Sequence, residues 1–253
     1  MNTDHLTADS RKKATRLLVS VRNADEARIV IGNQRVSVID LKEPHAGSLG
    51  CPSFEVASEF VELVQATGSN SRPLTSIALG EVVDSPTWPT IPDGDAKRLL
   101  SHFDFAKFGT SELGRHADWG RLWQSAFELV PENVTRVAVA YADWQQAVSP
   151  GPHEILEAAK LIAAEVLLVD TFHKDAGSLL DHFSIGEIVR LSQAAADYGV
   201  QLALAGSISI ETASELFGVS DFLAFRGAVC SGGRQYAIDK EKLMKLTGPL
   251  VHR

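Results

Sequence analysis

Two cysteines in 253 residues, Cys51 and Cys230, are too few and too far apart for a disulfide framework or a thiolate metal site. Such sparing use of thiols fits a reducing cytoplasm, the compartment expected for this chain. No apolar run approaches the roughly 20 residues that cross a bilayer, so no membrane partner is expected. The opening MNTDHLTADSRKKAT is polar and reads neither as a signal peptide nor as an anchor; residues 1–15 are expected to be a flexible tail. Basic residues are also in deficit, with 24 Lys and Arg against 32 Asp and Glu and a formal charge of −8. That balance excludes a general nucleic-acid binder and argues against an anionic membrane surface. It also requires any anionic ligand to be met by cations gathered locally. The eight histidines contain no pair at the helical spacing of a zinc site, and His45, His153 and His173 are scattered. No metal and no cofactor is expected.

What is present is alternation. Short apolar strands, RLLVSVR, RVSVIDLK, LTSIALGE, DFAKFGT, RVAVAYAD, VLLVDT, QLALAGS and DFLAFRG, are separated by amphipathic patterns such as FEVASEFVELVQ, HEILEAAKLIAA and IGEIVRLSQAAADYG. Glycines stop two of those helices, in DYG and LFG. Eight strands alternating with eight helices predict a single (β/α)8 barrel over residues 16–253, with no linker and no second domain. A doubly wound open sheet is the alternative, weakened because no Gly-rich dinucleotide turn follows the first strand.

A barrel of this kind carries its site at the C-terminal ends of the strands. Alternation puts Val36, Val38, Asp40 and Lys42 on one face of the second strand and Phe105, Lys107 and Gly109 on one face of the fourth. The sixth aligns Val166, Leu168 and Asp170, with Lys174 four residues on; the eighth aligns Phe222, Ala224 and Arg226. Even-numbered strands share layers, so Asp40, Lys42, Lys107 and Asp170 are predicted to point into one volume. A lone lysine at a strand end is ordinarily a solvated rim residue. Several together, beside inward carboxylates, are a different matter: close ammonium groups disfavour each other's charge, and Lys107 is expected to lower the pKa of Lys42 in this way. A neutral lysine attacks carbonyls and forms a Schiff base, while a second lysine or a carboxylate moves protons on the adjacent carbon.

Anion binding is predicted for the loops after the seventh and eighth strands, AGSIS and RGAVCSGGR. There Gly206, Ser207 and Gly227 can offer backbone or hydroxyl donors, and Arg226 or Arg234 can supply charge. Gly47 and Ser48, in the GSLG that follows Lys42, form a second candidate. Glycines that only shape turns are the plain alternative for each loop.

The segments IDLKEPHAGSLG, AKFG, YAD, VDTFHKDAGSLLD, LAGSI and FRGAVC, in this order, resemble the (5-formylfuran-3-yl)methyl phosphate synthase family, also described as 4-(hydroxymethyl)-2-furancarboxaldehyde-phosphate synthase. The likeness runs from about Leu17 to Gly233. It implies a TIM barrel that condenses two glyceraldehyde 3-phosphate molecules, one isomerised first to the ketone, for methanofuran biosynthesis. It also implies Lys42 as the Schiff-base residue, Lys107 as proton acceptor, Lys174 as the third lysine and Asp40 as the carboxylate beside the imine. Departures from the family pattern are a longer loop after the third strand, carrying Glu81, and bulky Phe172 and His173 before Lys174. Rival expectations are a class I aldolase, an isomerase or epimerase on the same barrel, and a non-catalytic binder of a phosphorylated metabolite. A homo-oligomer is expected, with Trp119, Trp123 and Phe127 either at a subunit contact or in the outer core.

Overall fold

Apolar runs of four to eight residues that end in charge or glycine can bury both faces only inside a sheet that helices cover. In the computed structural model, which describes residues 14–68 and 72–248, eight such runs are strands. They are β1 (Arg16–Val21), β2 (Val36–Leu41), β3 (Leu74–Glu81), β4 (Phe105–Gly109), β5 (Thr135–Tyr141), β6 (Val166–Asp170), β7 (Gln201–Leu204) and β8 (Phe222–Phe225). All neighbours pair in parallel, in sequence order, and β1 closes on β8. The fold is the expected (β/α)8 barrel. Of the expected tail, residues 1–13 lie outside the described residues.

The covering helices are α1 (Ala24–Ile31), α2 (Phe54–Ala66), α3 (Asp93–Leu100), α4 (Trp119–Ala126), α5 (Pro152–Ala158), α6 (Leu179–His182), α7 (Ile185–Asp197), α8 (Ile210–Leu216) and α9 (Lys240–Leu246). Serines start several of them: Ser53, Ser184 and Ser209 each accept a first-turn backbone N–H. Gly199 (φ +72°) and Gly218 (φ +83°) end α7 and the α8 segment in the left-handed region, where a side chain would be strained.

Two apolar layers result. Val38, Ala78, Val139, Leu168, Ala203 and Phe222 fill the barrel interior, and a larger set lies between barrel and helices. Trp123 and Phe127, 0% and 1% exposed, belong to that outer layer, so they are core of this chain and not a subunit contact. At the N-terminal mouth the Arg16 guanidinium lies 3.8 Å from the centre of the Phe222 ring. The opposite, C-terminal mouth is where side chains of unlike charge meet.

Candidate active site

Lys42 follows the last residue of β2, is 7% exposed, and lines a cavity of about 540 Å³ at the C-terminal mouth. Its amine makes one long contact, 3.5 Å to the Ser48 carbonyl. Burial lowers its pKa to about 8; Asp170 and Asp40 oppose the shift, while Lys174 and Arg234 add to it. Asp170, at the end of β6, accepts from the Lys174 ammonium at 2.6 Å and from the Thr171 N–H at 2.8 Å. Burial alone would raise the Asp170 carboxyl, but the Lys174 and Lys42 ammoniums and those hydrogen bonds hold it below the ordinary carboxylate range. The Lys174 amine is pushed down by burial and only partly restored by Asp170.

Asp40 and Lys107 form a separate pair. Asp40 sits two residues before Lys42 on the strand, roughly 6.6 Å deeper into the barrel. Its carboxylate takes a hydrogen bond from Ser20 Oγ at 2.9 Å and pairs with the Lys107 ammonium, which also donates to Ser76 Oγ at 2.7 Å. Lys107 borders a void of about 30 Å³ in the barrel interior and not the larger cavity. The inward phase predicted for Lys42, Lys107, Asp40 and Asp170 is therefore the phase observed, but the expected pairing of amines is corrected. The cations acting on Lys42 are Lys174 and Arg234. Alternation gives the face of a strand, whereas barrel shear sets the height at which neighbouring side chains meet.

The cavity collects charge against the chain's net balance. Among the described residues its wall holds six basic side chains, Lys42, Lys174, Arg226, Arg234, Lys242 and Lys245, against Asp170, Asp175 and Glu211. Gly206, Ser207 and Gly227 line it as well. Gly206 (φ +97°) has no room for a side chain, since a Cβ there would stand 3.0 Å from the Thr171 methyl and 3.1 Å from its amide. Ser207 follows in the left-handed region too, at φ +52°.

Three of the expected anion contacts change. All five N–H donors of Arg226 are engaged: with the Glu26 carboxylate and the carbonyls of Ser20, Arg234 and Tyr236. No donor of Arg226 is left for a ligand, and among the described residues the cation of that loop with donors to spare is Arg234, which spends one on the Gly47 carbonyl. Gly47 and Ser48 do not line the cavity. Ser48 Oγ donates to the Thr171 carbonyl at 2.9 Å and lies 3.3 Å from Asp170, while the Gly47 carbonyl accepts from Arg234 at 2.7 Å. They tie the β2 loop to the β6 and β8 loops. Gly50 is needed by the same closed loop, because a Cβ there would meet the Glu43 carbonyl at 2.2 Å.

Two acids at the mouth carry no catalytic expectation from the sequence. Strict alternation would put Gly80, not Glu81, inward with Ser76 and Ala78. A register shift between Ala78 and Glu81, with Gly80 at φ +87°, turns Glu81 to the level of Gly109 instead. The Glu81 carboxyl then accepts from Tyr141 OH at 2.7 Å and from Ser111 Oγ at 2.8 Å. Burial raises its pKa despite those donors. Gly109 is required beneath it, for a Cβ would come within 2.2 Å of the carboxylate. The second acid, Asp143, follows β5 and accepts the backbone N–H groups of Phe172 and His173 at 2.7 and 2.8 Å.

The model of the 4-HFC-P synthase family matches residues 17–247. A (5-formylfuran-3-yl)methyl phosphate synthase of Archaeoglobus fulgidus is 30% identical over 237 residues, covering 91% of this chain and 97% of the relative. One of Methanococcus maripaludis is 33% identical over 221 residues, covering 86% and 90%. Among solved structures, a thiamine phosphate pyrophosphorylase from Pyrococcus furiosus superposes with a TM-score of 0.56 at 14% identity, over 96% of this chain and 99% of that one. A phosphoribosyl anthranilate isomerase does so with a TM-score of 0.55 at 12% identity, over 92% and 96%. Those structures share the barrel alone, whereas the family model runs from the second residue of β1 through α9. The chain belongs to the 4-HFC-P synthase family.

Proposed function

We propose that this chain is a (5-formylfuran-3-yl)methyl phosphate synthase, a lyase condensing two glyceraldehyde 3-phosphate molecules through an imine on Lys42, in methanofuran biosynthesis. The observation that carries the reading is Lys42 itself: a buried amine with its pKa lowered to about 8, on the wall of a cavity whose other charges are mostly cationic. A neutral fraction near pH 7 supplies the nucleophile, and the cations suit doubly charged phosphates.

In this reaction one triose phosphate is first isomerised to the ketone. The Lys42 amine adds to its carbonyl carbon and water leaves, giving an iminium. Loss of a proton from the neighbouring carbon forms the enamine; the Asp40–Lys107 pair is the acceptor, the proton lodging on the Asp40 carboxylate below the imine while Lys107 remains the ammonium. The enamine carbon bonds to the aldehyde carbon of the second triose phosphate. One phosphate is eliminated, the ring closes through oxygen, two further waters depart, and hydrolysis frees Lys42, taking back the water lost on forming the iminium. Two triose phosphates thus give a six-carbon furan aldehyde monophosphate, one inorganic phosphate and two waters. Lys174 and Asp170 move protons at the cavity wall; Arg234 and the Gly206–Ser207 and Gly227 backbones hold phosphate. Holding both trioses in reacting geometry contributes on the order of 7–11 kcal/mol to lowering the barrier.

Incubation with glyceraldehyde 3-phosphate tests the reading. A conjugated, ultraviolet-absorbing aldehyde is expected, with one inorganic phosphate released for each product molecule. An aldolase would return a bisphosphorylated sugar and no phosphate. Borohydride should trap triose phosphate on Lys42, and trapping that survives Lys42→Ala would sink the assignment.

A further inference from the structure

Lys174 reaches Asp170 only because four residues of the β6 loop fold back on themselves. Its ammonium donates to Asp170 Oδ1 at 2.6 Å and to the Thr171 carbonyl, and it lines the cavity beside Lys42. A loop bent in this way turns the amides of Phe172 and His173 away from any partner in their own strand. Both amides are met by one carboxylate from the neighbouring strand end, Asp143, at 2.7 and 2.8 Å. The same carboxylate takes a third contact, His173 Nδ1 at 3.0 Å, and its side chain has no exposed surface. A buried carboxylate with three such partners is a fixed object, and each amide it holds would otherwise be left without an acceptor.

A second strut comes from the same strand. The Phe172 ring packs edge-on against Tyr141 with centroids 5.2 Å apart, and the Tyr141 hydroxyl is held by Glu81. Tyr141 and Asp143 stand two residues apart at the end of β5, and neither lines the cavity. They touch the loop and not the volume a ligand would fill.

We infer that Asp143 is the positioning residue of Lys174: by holding the Phe172 and His173 amides it fixes the bend that aims the Lys174 ammonium at Asp170 and the cavity. The catalytic part of this inference rests on the proposed furan synthase reaction; the geometric part does not.

Asp143→Asn keeps the shape but turns an amide N–H₂ toward one of the two backbone donors. Three readings are expected. Turnover of glyceraldehyde 3-phosphate falls roughly 100-fold, the cost of a displacement of about 1 Å at a reacting group. Borohydride trapping at Lys42 stays within about twofold of the unaltered protein, because Asp143 has no hydrogen bond to Lys42 or its loop among the described residues. Acetylation of Lys174 by acetic anhydride, read by mass spectrometry without substrate, rises several-fold while that of Lys107 does not. In a Lys174→Ala background the Asn substitution should add no further loss of turnover; losses that multiply would overturn the inference. So would unchanged Lys174 acetylation, or a rise shared equally by Lys107, which reports general loosening. If the unaltered protein makes no furan aldehyde, the proposed reaction fails, and the acetylation contrast still decides the positioning claim. Should Asp143→Asn not fold, Phe172→Ala removes the second strut with the carboxylate in place and carries the same expectations.

Discussion

The site contains two lysine–aspartate groups that differ in arithmetic. In the deeper one, Lys107 and Asp40 stand one to one, and Ser20 and Ser76 occupy remaining hydrogen-bonding positions. In the upper one, Asp170 answers Lys174 and faces Lys42 and Arg234 as well, so cations outnumber the carboxylate. The burial is similar, at 3% exposed for Lys107 and 7% for Lys42. Exposure to solvent therefore does not distinguish the two sites; the number of carboxylates beside each ammonium does. For Lys42, burial is the first cause of the lowered pKa, and Asp170, shared with Lys174 and Arg234, only partly offsets it.

The largest expected effect lies in the upper group. Lys42→Ala should reduce furan formation to background and abolish borohydride trapping, since no other amine occupies the cavity wall at the end of β2. Lys107→Ala should lower turnover by roughly 10²–10⁴-fold, the range for loss of a proton-transfer group, while leaving some trapping at Lys42. If the two variants lost trapping equally, the division between nucleophile and proton acceptor would collapse.

Stability should respond in opposite directions in the two groups. Asp40→Asn leaves the Lys107 ammonium buried without its counter-charge, and about 3–5 kcal/mol of folding stability should be lost in thermal or denaturant unfolding. Lys42→Met should instead stabilise the protein at pH 7. The folded amine has a pKa of about 8 against an ordinary 10.5, so at pH 7 the fold carries a disfavoured ammonium whose removal is worth up to about 3 kcal/mol. Between those two values the unfolded chain binds the extra proton, and unfolding free energy contributed by this group rises with pH. Above about pH 10.5 the amine is neutral in both states and the advantage of Met should have faded. A stabilising effect of the same size at pH 7 and pH 11 would contradict the assigned shift.

The sequence made the architecture plain because each strand is short, apolar and closed by a charged or glycine-bearing turn. The inward phase of Asp40, Lys42, Lys107 and Asp170 followed from period two. What alternation could not supply was height and partnership. Lys107 and Lys42 share a barrel wall in projection but meet different neighbours. Arg226 looks available from its own loop, yet its partner Glu26 lies 200 residues earlier in the chain. Glu81 departs from simple alternation because one left-handed glycine shifts the register ahead of it. The four-residue α6, opened by Ser178, whose N–H and Oγ both donate to the Asp181 carboxylate, is too short to show a helical period at all. Each of these depends on contacts distant in sequence or on a single backbone irregularity, and neither leaves a periodic trace.

The smallest effect is also the sharpest comparison of the two groups, because it reads sign and not size. The initial rate of imine trapping at Lys42 should climb with pH through about 8 as the amine loses its proton. Lys174 depresses that pKa and Asp170 raises it, so Lys174→Met should move the inflection to higher pH and Asp170→Asn to lower pH. Lys107→Arg keeps the deeper cation opposite Asp40 and should leave the inflection where it is. Opposite displacements for the two upper substitutions, with none for the deeper one, would locate control of the nucleophile in the Asp170–Lys174 pair. Displacement by Lys107→Arg alone would return that control to the deeper amine, which is where strand parity without barrel height had put it.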